Sequence, residues 1–143
     1  MILPDVNLLI YAIDATSPFH RNARLWWEAA LSSTTPVGLS HVAVMGFIRL
    51  VTNRRVFTSP LPADAAVRHV DSWLDQPNVS FAVPGPRHWA IFSELMVSAA
   101  VAGNLVTDAH LAALAMEQGY TLHSNDRDFG AFEGLRWVNP LNE

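Results

Sequence analysis

The stretch Asn104–Phe129, NLVTDAHLAALAMEQGYTLHSNDRDF, decides the fold predicted for this chain. Its first half has the apolar spacing of a helix, with Thr107 as a candidate cap and Asp108 in the first turn, where the helix dipole favours a carboxylate. Gly119 stands at the usual C-cap position and ends this helix. Tyr120–His123 then predicts a short strand, which a polar turn follows.

The turn after this strand places carboxylates near the start of the preceding helix. In a parallel α/β sheet, a helix runs antiparallel to the strand that follows it, so Asp108 lies at the edge where that strand ends. Asp126 and Asp128 follow the strand and reach the same edge, which is where open α/β sheets bind ligands. Ile2–Leu3 is a short apolar strand followed closely by Asp5. If it joins the sheet in parallel, Asp5 becomes a fourth member of the cluster.

Strands and helices alternate along the rest of the chain, which predicts a three-layer α/β/α sandwich with a mostly parallel central sheet. The chain has 143 residues, of which 50% are hydrophobic, enough for one packed domain and too few for two of ordinary size. There is no internal repeat or linker composition. We therefore treat residues 1–143 as a single domain.

Composition excludes several classes of function. The chain has no Cys, which excludes disulfides and thiolate metal sites and fits a reducing compartment. Its net charge of -4 argues against a wholly basic nucleic-acid binder. Lys is absent, which excludes phosphate-loop and Schiff-base mechanisms. We find no leader segment and no run long enough to span a membrane, and so expect a cytoplasmic protein.

All nine basic residues are Arg, and a few of them lie close to the acidic motifs. Arg54, Arg55 and Arg127 are the candidates for a local patch that contacts phosphate. A solvated surface side chain is the alternative for each of them. Arg127 stands between two acids in sequence and can also pair with one of them.

Several carboxylates at one edge repel one another, and without a counter-charge at least one of them takes up a proton. A hard divalent cation, Mg²⁺ or Mn²⁺, removes the conflict, because these ions prefer carboxylate oxygen and water. Hydrolysis of a phosphodiester is the natural reaction of such a site, and no covalent nucleophile is evident. His110 and His123 are candidate neighbours of the site.

Each candidate residue also has a purely structural interpretation. Asp5 can form a turn after its strand, Asp108 can favour the helix dipole, and Asp126 and Asp128 can be turn formers. Ser124 can orient a water molecule or only hydrogen-bond the turn. The predicted convergence of the four acids at one sheet edge is the argument for a site.

The motifs, taken together, resemble those of PIN-domain ribonucleases, specifically the VapC-type toxins of bacterial toxin–antitoxin pairs and their actinobacterial branch. The resemblance covers nearly the whole chain. Its runs are LPDVNLLIYA at Leu3–Ala12, FIRLVTNRRVF at Phe47–Phe57, GNLVTDAHLAALA at Gly103–Ala115, SNDRDF at Ser124–Phe129 and GLRWVNPL at Gly134–Leu141.

The resemblance implies a role for each acidic residue. Asp5 and Asp108 would be metal ligands for Mg²⁺ or Mn²⁺, Asp126 would complete the acidic site, and Asp128 would lie beside it. Ser124 would fill the hydroxyl position near the attacking water. The implied activity is endoribonuclease cleavage, often of tRNA or ribosomal RNA. The implied partners are a cognate antitoxin, whose C-terminal segment crosses the toxin near the acids, and a second copy in a homodimer.

The chain departs from the family pattern at Gly46, where many PIN domains carry a Glu on the helix after the second strand. One metal-facing carboxylate is therefore missing, which weakens the expectation of a two-metal site. It also motivates an alternative function, a degenerate PIN module that binds RNA or a partner protein without cleavage.

A third hypothesis is an aspartate-dependent phosphatase or phospho-receiver domain, because those folds also place an Asp after the first strand. Such a phosphatase has a second Asp two residues later, where this chain has Asn7. Both classes usually need a Lys, which is absent. We therefore favour this hypothesis least.

Overall fold

The computed structural model describes residues 1–99 and 103–142, apart from the side chain of Asn104. Strands and helices alternate along these residues, as the sequence predicts. Their bounds are β1 Ile2–Pro4, α1 Val6–Ile13, α2 His20–Leu31, β2 Val37–Ser40, α3 His41–Val51, α4 Ala63–Leu74, β3 Val79–Ala82, α5 His88–Ser98, α6 Val106–Gln118, β4 Thr121–His123 and β5 Trp137–Val138, with short 3₁₀ helices at Gly103–Leu105 and Arg127–Ala131.

The strands form one sheet in the order β3-β2-β1-β4-β5, and every pair is parallel. Along the chain, β2 and β3 follow on one side of β1, and β4 then pairs with the other side of β1. Two cores result, one formed with α1 to α4 and the other with α5 and α6. The predicted three-layer α/β/α sandwich is therefore confirmed.

The reversal of strand order falls between β1 and β4. Pro4 pairs with His123 in the parallel register, so these two central strands end side by side. The backbone N–H of Asp5 donates to the carbonyl of His123 at 2.9 Å and closes the end of the pair. In open α/β sheets, the crevice beside such a reversal is the place where ligands bind.

Local signals set some of the helix ends. The Oγ atom of Ser40 accepts from the N–H of Val42 at 3.2 Å and caps α3. Gly119 ends α6 with a left-handed φ of 78°. The predicted cap at Thr107 is wrong, because a 3₁₀ turn precedes α6, and the helix begins at Val106 without a side-chain cap. Asp108 nonetheless remains in its first turn.

Large apolar side chains hold α3 and α4 against the sheet. Phe47 is completely buried, and its ring lies 5.0 Å from that of Trp73 in an edge-on arrangement. Among the helices of the described ranges, none is long and apolar enough to cross a membrane.

Phe47→Ala is expected to destabilise the fold by about 3–5 kcal/mol, because it removes a buried ring and leaves a cavity. Urea denaturation followed by circular dichroism measures the change. Val67→Ala on α4 is the control, because Val67 is 44% exposed and its truncation should change stability little. Equal losses in the two variants would contradict this account of the core.

Candidate active site

Asp5 lies at the reversal of strand order, directly after β1. It is buried, with 5% of its surface exposed, and each of its carboxylate oxygens has a partner. Oδ1 accepts from the N–H of Val6 at 2.7 Å, which caps α1. Oδ2 accepts from the hydroxyl of Ser124 at 2.7 Å. The predicted turn-forming role is therefore real, and it places the carboxylate beside the turn that follows β4.

Ser124 connects the acidic segments. Its side chain is completely buried, and its Oγ accepts from the N–H of Asp126 at 2.9 Å while it donates to Asp5. The Nδ2 of Asn7 donates to the same oxygen at 3.4 Å. Through these hydrogen bonds, Ser124 holds Asp5 and the Asp126 turn in place. Asn7 also belongs to this network, although the sequence analysis considered it only against the phosphatase pattern.

The other three acids form a compact group at this edge. Asp108, Asp126 and Asp128 each place one carboxylate oxygen within 4.8 Å of the others. Asp126 also orders the turn, because its Oδ1 accepts from the N–H of Asp128 at 2.9 Å. All four predicted acids thus reach one edge of the sheet. The most compact trio contains Asp128, where the sequence led us to expect Asp5.

Like charges at this edge lack a cationic side chain as partner. Among the residues that the structure describes, the ion pairs join Arg24 to Glu28 and Arg68 to Asp64, both far along the chain from the acids. Arg127 makes no ion pair with either neighbouring acid. The alternative in which Arg127 neutralises the turn is therefore not seen.

Burial and repulsion shift the protonation of the site. Burial, followed by the charges of Asp5, Asp126 and Asp128, raises the pKa of Asp108 to about 7. Burial also raises the pKa of Asp5, although the hydrogen bonds from Ser124 and Val6 oppose this shift. A cation among these oxygens would relieve both the repulsion and the loss of hydration.

A cavity of about 270 Å³ adjoins the acids, and Asp5, Asp108, Gly46 and Arg49 help to line it. A Cβ at Gly46 would meet Val6 at 3.4 Å, an ordinary contact, so the cavity has room on this side. Arg49 lies three residues after Gly46 and thus on the same side of α3. Sequence reasoning missed Arg49 and named Arg54 and Arg55, which do not line this cavity.

His123 ends β4 beside these acids and lines a second cavity on the other side of the Ser124 turn. Its ring stacks on that of Trp26, with centroids 5.5 Å apart. Burial lowers the pKa of His123 to about 4, with a smaller effect from the N-terminal amino group. The side chain of His123 therefore lines this second cavity and not the cavity beside Asp5 and Asp108.

Comparison with known proteins places this arrangement in a family. The model of the PIN domain matches residues 2–135. The chain therefore belongs to the PIN-domain family.

The family contains close relatives of this chain. Ribonuclease VapC33 of Mycobacterium tuberculosis is 43% identical over 143 residues, which is 100% of each protein. Among solved structures, VapBC2 from Rickettsia felis, bound to a DNA fragment from its promoter, matches with a TM-score of 0.70 at 17% identity over 97% of this chain and 98% of that one. VapC20 of Mycobacterium tuberculosis, a toxin that cleaves the sarcin–ricin loop, matches with a TM-score of 0.65 at 20% identity, over 95% and 99%. The two structural matches show the same fold.

Asp108→Asn is expected to stabilise the metal-free protein at pH 8. The folded-state pKa of Asp108 lies above its ordinary value of 3.8, so the stability that this group contributes is fully present below about pH 4 and is lost as pH rises through about 7. Asparagine does not titrate and escapes this loss. Because Asp108 is partly exposed, solvent screening reduces the gain to about 1 kcal/mol, or roughly 2–4 °C in Tm.

Thermal unfolding in EDTA at pH 4 and pH 8 measures this effect, with Asp71→Asn, an exposed carboxylate on α4, as the control. Mn²⁺ should then raise the Tm of the wild type more than that of Asp108→Asn, because a ligand that binds only the folded state stabilises it. If Asp108→Asn is less stable than the wild type at pH 8 in EDTA, the ionised carboxylate of Asp108 does not destabilise the metal-free protein.

Proposed function

We propose that this chain acts as a single-domain endoribonuclease toxin that hydrolyses RNA phosphodiester bonds and depends on Mg²⁺ or Mn²⁺. The observation that carries the proposal is the close group of three carboxylates beside buried Asp5, without a cationic side chain as partner. Full-length similarity to a ribonuclease such as VapC33 supports RNA as the substrate.

The residues present fit a hard divalent cation. Asp108, Asp126 and Asp128 offer oxygens at a mutual spacing that one ion can span, and Asp5 stands next to them as the further predicted ligand. Oxygen ligands of this kind are the preference of Mg²⁺ and Mn²⁺. Such an ion, when bound, lowers the pKa of water and polarises a phosphoryl oxygen.

The side chains around this group have separate tasks. The four carboxylates alone would repel a phosphodiester, which makes cleavage depend on the cation. Arg49 lines the adjoining cavity and supplies the positive side chain that can hold the phosphate. Ser124 and Asn7 keep Asp5 fixed relative to the turn that carries Asp126. Positioning of this kind is a large part of phosphoryl-transfer catalysis.

The class of RNA follows from the relatives. VapC20 is described as cleaving the sarcin–ricin loop, a ribosomal RNA element. We propose a structured cellular RNA, either ribosomal RNA or tRNA, as the substrate of this chain.

Two protein partners belong to the proposal. The first is a cognate antitoxin, as the VapBC2 assembly suggests. The second is another copy of the chain. Trp89 and Val97 on α5 are 72% and 82% exposed, and exposed apolar side chains of this size mark protein interfaces.

Trp89→Asp is expected to shift the protein from dimer to monomer, because it places a charge in an apolar contact. Size-exclusion chromatography with light scattering measures the mass, and Asp71→Asn is again the control. A wild-type protein that is monomeric at high micromolar concentration would reject the dimer.

Asp5→Asn and Asp108→Asn are expected to reduce RNA cleavage by about 100-fold or more, because each removes a charge that holds the cation. Sequencing of RNA ends after induced expression identifies the cut sites, and purified protein with Mn²⁺ or with EDTA then tests the metal requirement. Asp71→Asn should cleave at the wild-type rate. Unchanged cleavage by both site variants, or cleavage in EDTA, would reject the proposed site.

Gly46 is the reason for the alternative function, a module that binds RNA or a partner without cleavage. The same experiment tests this alternative. The absence of a side chain there removes a carboxylate from the cavity wall, although the three-acid group persists. A degenerate module predicts RNA binding without product at any Mn²⁺ concentration. Cleavage by the wild type decides between the two functions.

A further inference from the structure

A second cavity, of about 540 Å³, opens at the same carboxyl edge of the sheet, on the side where α2 packs. Asn22, Leu25 and Trp26 of α2 line it, together with His123 and Asn139. Its volume falls in the range of roughly 300–1,000 Å³ that is typical of small-ligand pockets. Nothing in the acidic site itself accounts for this cavity.

The aromatic part of the wall is a stacked pair. The rings of Trp26 and His123 have centroids 5.5 Å apart and are inclined by 23°. Leu25 extends the apolar surface, and 57% of it is exposed although it stands mid-helix. Aromatic rings with adjacent apolar surface form the kind of platform on which unpaired nucleobases stack.

The polar part of the wall is small and neutral. Asn139 is fully engaged, because its Nδ2 donates to Asn125 at 2.7 Å and its Oδ1 accepts from the N–H of Leu141 at 3.0 Å. Asn22 is exposed, and within the described ranges its amide makes no hydrogen bond to the protein. Among the residues that the structure describes, no Asp, Glu or Arg lines the cavity. The wall therefore suits an uncharged, flat group with a hydrogen-bonding edge.

The cavity is physically tied to the acids. The indole N–H of Trp137 donates to the carbonyl of Ser124 at 3.1 Å, and the N–H of Ser124 donates to the carbonyl of Val138 at 3.1 Å. His123 is three residues from Asp126, a separation of at most about 11 Å even in extended chain. A nucleotide chain that crosses the acids thus reaches the cavity within one or two residues.

We propose that this cavity binds one unpaired nucleobase of the RNA substrate, stacked against the Trp26–His123 pair with its edge toward Asn22. The subsite rests on the proposed nuclease function and specifies which part of the substrate the enzyme reads. A stacked base next to the scissile phosphate fixes the cleavage position along a single strand, while the phosphate itself carries no sequence information.

The experiment uses the full chain and a fluorescent RNA heptamer chosen from a randomised pool that the wild type cleaves. A series of this heptamer carries an abasic nucleotide at each position in turn. One abasic position near the cut is expected to raise KM by roughly five- to 150-fold, the range for a lost base–aromatic stack, with a smaller effect on kcat. Trp26→Ala should raise KM for the intact heptamer by a similar factor.

The decisive measurement is whether the effects of Trp26→Ala and of the abasic nucleotide on KM are additive. With the abasic heptamer, Trp26→Ala should cause little further loss, because the partner that it contacts is already absent. Trp26→Phe should restore most of the affinity, and Asn22→Ala should change the preferred base. Val67→Ala is the matched apolar control, and circular dichroism confirms that each variant is folded.

Independent, additive effects of Trp26→Ala and the abasic positions would overturn the subsite while leaving the nuclease in place. So would a Trp26→Ala variant that cleaves normally and loses only the binding of a partner protein. If the wild type cleaves no RNA, the nuclease proposal fails, and fluorescence anisotropy of the randomised heptamer pool with Mg²⁺ tests the cavity by itself. Equal affinity of the wild type and Trp26→Ala in that assay would also reject the subsite.

Discussion

Repulsion between carboxylates that the fold forces together is the constraint on which the site depends. Asp5 and Asp126 meet because β1 and β4 are adjacent where the strand order reverses, and Asp108 meets them because α6 begins at the same edge. Burial is the largest cause of the raised pKa of Asp108, and repulsion from the other three carboxylates adds to it. The repulsion that destabilises the site without a cation increases the free energy gained when a cation binds.

The fold tolerates this repulsion because hydrogen bonds from other protein groups hold the acidic side chains in place. Ser124 and Asp5 are separated by 119 positions in the chain, yet their side chains are joined by a buried hydrogen bond of 2.7 Å. The N–H of Val6 at the start of α1 stabilises the other oxygen of Asp5. These bonds favour the ionised form of Asp5 against the effect of burial. The hydrogen bonds thus keep a buried acid available as a ligand.

Sequence reasoning predicted the sheet and the meeting of the acids, because both follow from the order of elements and from rules of parallel topology. Each acid lies next to the end of a strand or the start of a helix. An error of one residue in a predicted boundary therefore leaves the acid at the same edge of the sheet. The misplaced cap at Thr107 shows this, since Asp108 stayed in the first turn. Arg49, Asn7 and the Trp26–His123 pair were beyond such reasoning, because their positions depend on how α1, α2 and α3 pack against the sheet.

Gly46 and Arg49 together change the charge balance of the cavity beside the acids. A Cβ at position 46 would meet Val6 only at 3.4 Å, an ordinary contact, so the backbone there does not demand glycine. With Arg49 lining the same wall, this side of the site favours an anion more than a second cation. The proposed nuclease therefore fits one bound ion with an arginine-held phosphate better than two ions. The substrate would be fixed at three points, namely the ion, Arg49 and the base cavity, of which only the last distinguishes one sequence from another.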